Sequence, residues 1–187
     1  VEQLMYKALF ELSADRREFL SRLFSRPLPP ATTSELEDLV VLLRNTPPDG
    51  TMFAANGAAI RNHLTGTHGS KLTTMDESKV EYILRAFYIF GPNINYNGPP
   101  DRSPNGMFPT YVELLLETGP SGARDSFLSS EENFQIVQKL QKDNMIIPLV
   151  GNFAGSLAIR AVGDYLRKNN AVVSAFYVSN VEQYLFR

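Results

Sequence analysis

The sequence predicts an α/β fold, a doubly wound parallel sheet preceded by a helical segment, and three observations carry that expectation. Apolar runs rich in Val, Ile, Leu and Tyr occur at TYVELLLET (110–118), MIIPLVGNF (145–153) and AVVSAFYVS (171–179). Helical patterns separate them, one opened by Ser129 and one reading AGSLAIRAVGDYLRKN (154–169). The resulting strand-helix-strand-helix-strand order has the lengths that right-handed parallel crossovers need. Residues 110–118, 145–152 and 172–179 are therefore expected as adjacent parallel strands. Continuous apolar strands suit a sheet covered on both faces, and Ala158, Ile159, Ala161, Val162 and Leu166 give the second helix a sheet-facing stripe.

The elements before this core read as helices and long loops. VEQLMYKALFEL starts without an initiator Met and already in helical phase, which is not expected of a natural start. Leu4, Ala8 and Leu12 form a stripe with Met5 and Leu9 beside it, and Phe19, Leu20, Leu23 and Phe24 continue an apolar face after the polar Asp15 and Arg16. Ser13 is a candidate cap for a second helix. Arg26-Pro27-Leu28-Pro29-Pro30 ends the segment as an extended linker, because the prolines exclude a helix. An apolar stripe of this kind is expected to pack against the domain.

Three further helix starts have capping-box spacing: Ser34 with Glu37, Thr74 with Glu77, and Ser129 with Glu132. Between these helices lie two Gly-, Pro- and Asn-rich tracts, 46–71 and 91–109, expected to be long loops acting as lids or as irregular insertions, with a short helix at 57–64.

Composition bounds the function more by exclusion than by assignment. A chain of 187 residues is enough for one medium domain, so 1–187 is expected as a single α/β domain, mainly helical to 109 and sheet-bearing from 110. A net charge of −2 argues against a nucleic-acid footprint. No apolar run approaches the ~18 residues of a membrane span, so a soluble, cytoplasmic protein is expected. Cysteine is absent, which removes disulfides, thiol nucleophiles and cysteine-ligated zinc, leaving histidine and carboxylates as metal ligands. His63 and His68 are the two candidates. A spacing of five does not place them on one α-helical face, and Gly66 interrupts a helix between them, so a solvated loop pair is expected and no metal site is assigned.

A parallel sheet would place its ligand on the carboxyl edge, where helix N-termini expose N–H groups. The turn G-N-F-A-G lies there, with Gly151 and Gly155 allowing close approach and Asn152 offering an amide that donates and accepts. The simpler reading is that the glycines shape a tight turn and Asn152 caps the helix. Tyr177, Ser179 and Asn180 end the next strand, although Ser179 with Glu182 and Asn180 with Gln183 also have the spacing of a helix start. Glu117 and Thr118 end the first. A small-molecule crevice along Glu117, Thr118, Gly151, Asn152, Phe153, Ser179 and Asn180 is the expectation that follows.

SADRREFLSRLFSRP, the LVGNFAG turn and FYVSNVEQYLF resemble an uncharacterised bacterial protein family without an assigned activity, along the length of the chain. The order of elements in that family is similar to a class I S-adenosylmethionine-dependent methyltransferase, a Rossmann-like fold. The resemblance makes the three apolar runs the third, fourth and fifth strands, in a copy lacking the first two. It implies S-adenosylmethionine as cofactor, with Glu117, Thr118, Gly151, Phe153, Ser179 and Asn180 in cofactor binding and Asn152 nearer the acceptor as the catalytic candidate. The glycine-rich first strand that would cradle the cofactor and the acidic second strand have no counterpart here, and Asn152-Phe153 lacks the two prolines of the acceptor motif of methyltransferases of this architecture. Two function classes follow: a methyltransferase-like small-molecule enzyme, or a non-catalytic ligand-binding or scaffold module on the same fold.

Overall fold

Helices build this molecule. The computed structural model describes residues 2–96, 108–178, 181 and 183. Among them the chain runs α1 (Glu2–Leu12), α2 (Arg16–Phe24), α3 (Leu36–Asn45), α4 (Gly50–Asn62), a π-helical turn (His63–Thr67), α5 (Thr74–Phe90), a 3-10 turn (Gly91–Asn93), α6 (Tyr111–Leu116), α7 (Glu131–Lys142) and α8 (Ala158–Lys168). A lone antiparallel bridge, Asn95 to Thr110, is the β pairing found among the described residues. The expected α/β, Rossmann-like parallel sheet is therefore corrected to a mostly α fold. Two compact units divide the chain, Val1–Ile146 and Ile147–Arg187.

The first unit closes around α1 and α2. Met5, Ala8, Leu9, Phe19, Leu20 and Leu23 are fully buried, with Leu39 and Leu43 of α3, Ile60 of α4, Leu84 of α5 and Phe134 of α7. Aromatic rings fill one end of this core: Phe10 lies 4.7 Å from Phe19 and 5.4 Å from Phe134, centroid to centroid, distances at which offset and tilted ring pairs attract. The apolar stripe of residues 1–26 is thus the centre of the unit. Asp15 caps α2 by accepting from the Glu18 N–H at 2.8 Å, in place of Ser13, whose hydroxyl turns back to the Leu9 carbonyl at 2.6 Å. Arg26 is buried and donates to the carbonyls of Thr46 at 2.8 Å and Phe24 at 3.0 Å. A Cβ on Gly91 would stand 2.4 Å from that guanidinium, and its φ of +53° is open to glycine without strain.

Several helix starts fall one residue from their expected places. Thr73 with Asp76 forms the capping box of α5, Ser130 caps α7 through the Asn133 N–H, and Glu35 precedes α3 without a side-chain cap. The tract 46–71, expected as a long loop, holds the 13-residue α4, capped by Asp49, which accepts from the N–H groups of Thr51 at 2.7 Å and Met52 at 3.0 Å.

Each expected strand has a different fate. TYVELLLET folds as α6, because Thr110 and Glu113 make a reciprocal capping box and Val112 and Leu115, three apart, are the residues it buries. MIIPLVGNF lies outside helix and sheet, with Met145, Ile147, Leu149 and Val150 exposed. AVVSAFYVS is likewise irregular over its described residues, with Val172, Phe176 and Tyr177 exposed. A strand satisfies its backbone only through a neighbour. With the first run coiled into α6, these two gain no ladder among the described residues.

In the second unit α8 forms where expected, and Ile159 on its apolar stripe is exposed. The Asn152 side chain accepts from the Ala154 N–H at 3.0 Å and its carbonyl accepts from the Gly155 N–H at 3.0 Å, a local turn. Gly151 is pressed on the start of α8, where an added Cβ would meet the Ala158 Cβ at 2.5 Å. Phe153 stacks on Phe176 at 6.2 Å.

Candidate metal centre

Titratable side chains converge at Glu11, in the last turn of α1. Lys7 sits one turn earlier and pairs with Glu11 Oε1 at 2.8 Å, with both side chains at most 10% exposed. The same ammonium donates to the Gln141 carbonyl at the end of α7. Gln138 of α7 donates to the carbonyls of Phe10 at 2.9 Å and Ser13 at 2.6 Å, groups left open where α1 ends. Glu11 is therefore held from both sides, one oxygen engaged by Lys7 and the other turned towards α4.

That second oxygen, Oε2, lies 2.5 Å from Nε2 of His63 and 2.5 Å from Nε2 of His68. The π-helical turn brings the two imidazoles together. At the end of α4 the helix widens, and the His68 N–H bonds to the His63 carbonyl at 3.3 Å, five residues back, instead of four. Residues five apart then stand over one another. Leu64, fully buried, anchors the turn to the core, and Gly69 with φ +59° ends it. The rings lie 5.1 Å apart, edge to face, and His63 Nδ1 has the Thr67 hydroxyl at 3.4 Å. The solvated loop pair expected from the spacing is thus replaced by a part-buried cluster. A spacing of five separates two side chains under α geometry but not across a π-bulge, and π-bulges occur frequently at functional sites.

Burial pushes the Glu11 carboxyl up, but the Lys7 hydrogen bond, the two imidazoles and the Lys7 charge outweigh it and bring it down to about 2. Glu11 is an anion at neutral pH, and its Oε2 and the two Nε2 atoms lie within 4.8 Å of one another. Two imidazoles and one carboxylate are a donor set that binds zinc and other divalent first-row metals. Ligand bonds of about 2.0–2.1 Å set tetrahedral ligand separations of roughly 3.3 Å, so an ion requires the 2.5 Å carboxylate–imidazole contacts to open and the two Nε2 atoms, within 4.8 Å, to settle near that separation. The ligands are themselves supported, Glu11 by Lys7 and His63 by Thr67, as ligating carboxylates and imidazoles generally are.

The residues expected to line a ligand crevice are distributed over the two units and the residues outside the description. Glu117 and Thr118 follow α6 and are exposed in the first unit. Gly151, Asn152 and Phe153 belong to the second unit. Ser179 and Asn180 lie outside the described residues. No sheet edge exists among the described residues to align them. An apolar cavity of about 460 Å³ lies beside Phe87, Ile94, Tyr111 and Leu114, with no converging set of charged or nucleophilic groups among its described lining. No helix among the described residues is long and apolar enough to cross a membrane.

Residues 103–187 match a family model described as a domain of unknown function, DUF7790. That stretch takes in α6, α7 and the second unit and excludes Lys7, Glu11, His63 and His68. No curated protein and no solved structure matches the chain. The resemblance to a methyltransferase-like family is corrected accordingly: the likeness found is to a domain without an assigned activity, and the fold is helical.

Proposed function

We propose that the protein is a helical binding module whose ligand is a divalent transition-metal ion, held by Glu11, His63 and His68. The single observation that carries this reading is the approach of one carboxylate oxygen to Nε2 of both histidines, made by a π-helical turn against a braced helix end. It develops the binding-module alternative of the sequence reading. Methyl transfer and S-adenosylmethionine binding gain no observation from the residues expected to serve them.

The donor chemistry suits zinc and other divalent first-row metals that take imidazole, and zinc serves as the probe. No thiolate is among the three donors, and a single carboxylate is poorer in oxygen than calcium or magnesium sites require. On binding, each imidazole presents an Nε2 lone pair and keeps its proton on Nδ1, which for His63 faces the Thr67 hydroxyl. Calorimetric titration of chelator-treated protein with zinc tests the reading. One ion per chain is expected, with affinity lowered roughly a hundredfold or more in His63→Ala and His68→Ala, beyond the range for loss of an outer partner. Zinc uptake unchanged in both variants, or none in the parent, overturns it.

A further inference from the structure

The charges around this centre carry the reading one step further, and the step rests on the metal site itself. We propose that the bound ion keeps one coordination position open and that a small anion occupies it exchangeably: hydroxide at rest, or a carboxylate or azide-like monoanion when supplied. Two features of the cluster lead there. The first is the ligand count. Among the described residues three side chains converge, Glu11, His63 and His68, and Glu11 has its other oxygen committed to Lys7. Structural zinc sites are closed by four protein ligands, whereas three protein ligands leave a position for water or an added ligand.

The second feature is charge. Neutral imidazoles contribute none, and the single negative charge of Glu11 is already matched by Lys7 at 2.8 Å. Among the described residues Lys7 is the charged partner of Glu11 at this cluster, and His63 and His68 contact the same carboxylate. Both charges of a divalent ion are therefore uncompensated where Lys7 and Glu11 are at most 10% exposed. Burying net charge is costly, and an anion in the open position offsets it. His63 and His68 side chains remain 17% and 22% exposed, so the position is reached from solvent. Lys7 adds its field to that of the ion and favours an anion over a neutral ligand.

Cobalt(II) reports both the site and its open position, because its visible absorption changes with its ligands. Chelator-treated protein is loaded with one equivalent of cobalt and titrated with sodium azide, then with acetate. The expected result is a protein-dependent visible band that shifts saturably with each anion. Lys7→Gln, which keeps a donor for Glu11 but removes the charge, should weaken azide binding roughly tenfold or more, since one unit charge about 4 Å away counts for about fivefold in water and about a thousandfold at an effective dielectric of about 20. Circular dichroism checks that the variant is folded, and the parent titration stands alone if it is not. A cobalt band that azide leaves unchanged, up to concentrations that alter free cobalt, overturns the open position while leaving the metal site. Absence of any protein-dependent band overturns both.

Discussion

Glu11 is placed to serve stability as well as binding, and a conservative substitution separates the two. Glu11→Gln leaves the shape of the side chain but strips Lys7, buried at the α1–α7 contact, of its counter-charge. Breaking a buried pair from one side costs about 3 kcal/mol, because the remaining charge is left without compensation. Denaturant unfolding of metal-free protein should show a loss of that order, and an unchanged midpoint would mean that Lys7 finds solvent. Lys7→Met with Glu11→Gln should recover part of the loss. Asp15 provides a pH-dependent counterpart. Burial pushes its carboxyl up, but the Glu18 N–H and the Arg17 guanidinium prevail, so it titrates below its ordinary 3.8. A carboxyl lowered in the folded state stabilises above its unfolded pKa, and that contribution is lost as pH falls through the folded value. The stability difference between the parent and Asp15→Asn should therefore be constant at neutral pH and shrink below about pH 4. Unfolding curves at pH 7 and pH 3 check it. These two carboxylates were unequally legible in sequence. Asp15 stands in the polar gap before an apolar face, where a cap belongs, and the expected cap, Ser13, lies two residues ahead of it. Glu11 carries a sequence signal of its own: with Lys7 it forms an i, i+4 pair directly beside the apolar stripe of α1, where charged side chains need partners from another element.

At the scale of elements, helix starts were readable and strand runs were not. Capping residues act through the adjacent backbone, so Thr73 and Ser130 stand within a residue of the expected caps, whereas Asp49 caps α4 inside a tract expected as a loop with a short helix only at 57–64. An apolar run of eight or nine residues has no such mark, and helix and buried strand share it. In TYVELLLET the deciding feature is Thr110 with Glu113, a capping box with the spacing of other helix starts, set inside an apolar run that reads equally as a strand. Thr110→Ala removes the hydroxyl that accepts from the Glu113 N–H at 3.3 Å, and a cost of about 1 kcal/mol is expected. The loss should appear with increased amide exchange across Tyr111–Leu116. Slow exchange unaffected by the substitution would count against a capped helix there. The π-helical turn escaped for a related reason. A spacing of five is silent under α geometry, and the widening depends on Leu64 being drawn into a core that the sequence alone does not display.

At the scale of the molecule, the two units differ in what their sequences accomplish. Residues up to Ile146 bury their apolar stripes against one another, so the periodicities read along α1, α2 and α5 correspond to a core. Residues from Ile147 carry equally strong patterns, but α8 buries no residue and Val150 is fully exposed. Pattern alone therefore predicted a sheet where pairing, a property of more than one segment, is required. This division makes a testable statement about the first unit. The stretch from Met145 to Val150 is exposed and outside regular structure, the kind of backbone that proteases enter. Brief digestion at low protease should cut there before it cuts within α1–α5, whose buried residues hold their backbones in hydrogen-bonded helices. The N-terminal product should keep a helical circular dichroism spectrum and unfold cooperatively, because the shared core cluster ends at Phe134. It should also take up zinc, since Lys7, Glu11, His63 and His68 all lie within it. Initial cleavage inside α1 or α4, or a product that unfolds without a transition, would show that the first unit does not fold independently of the rest.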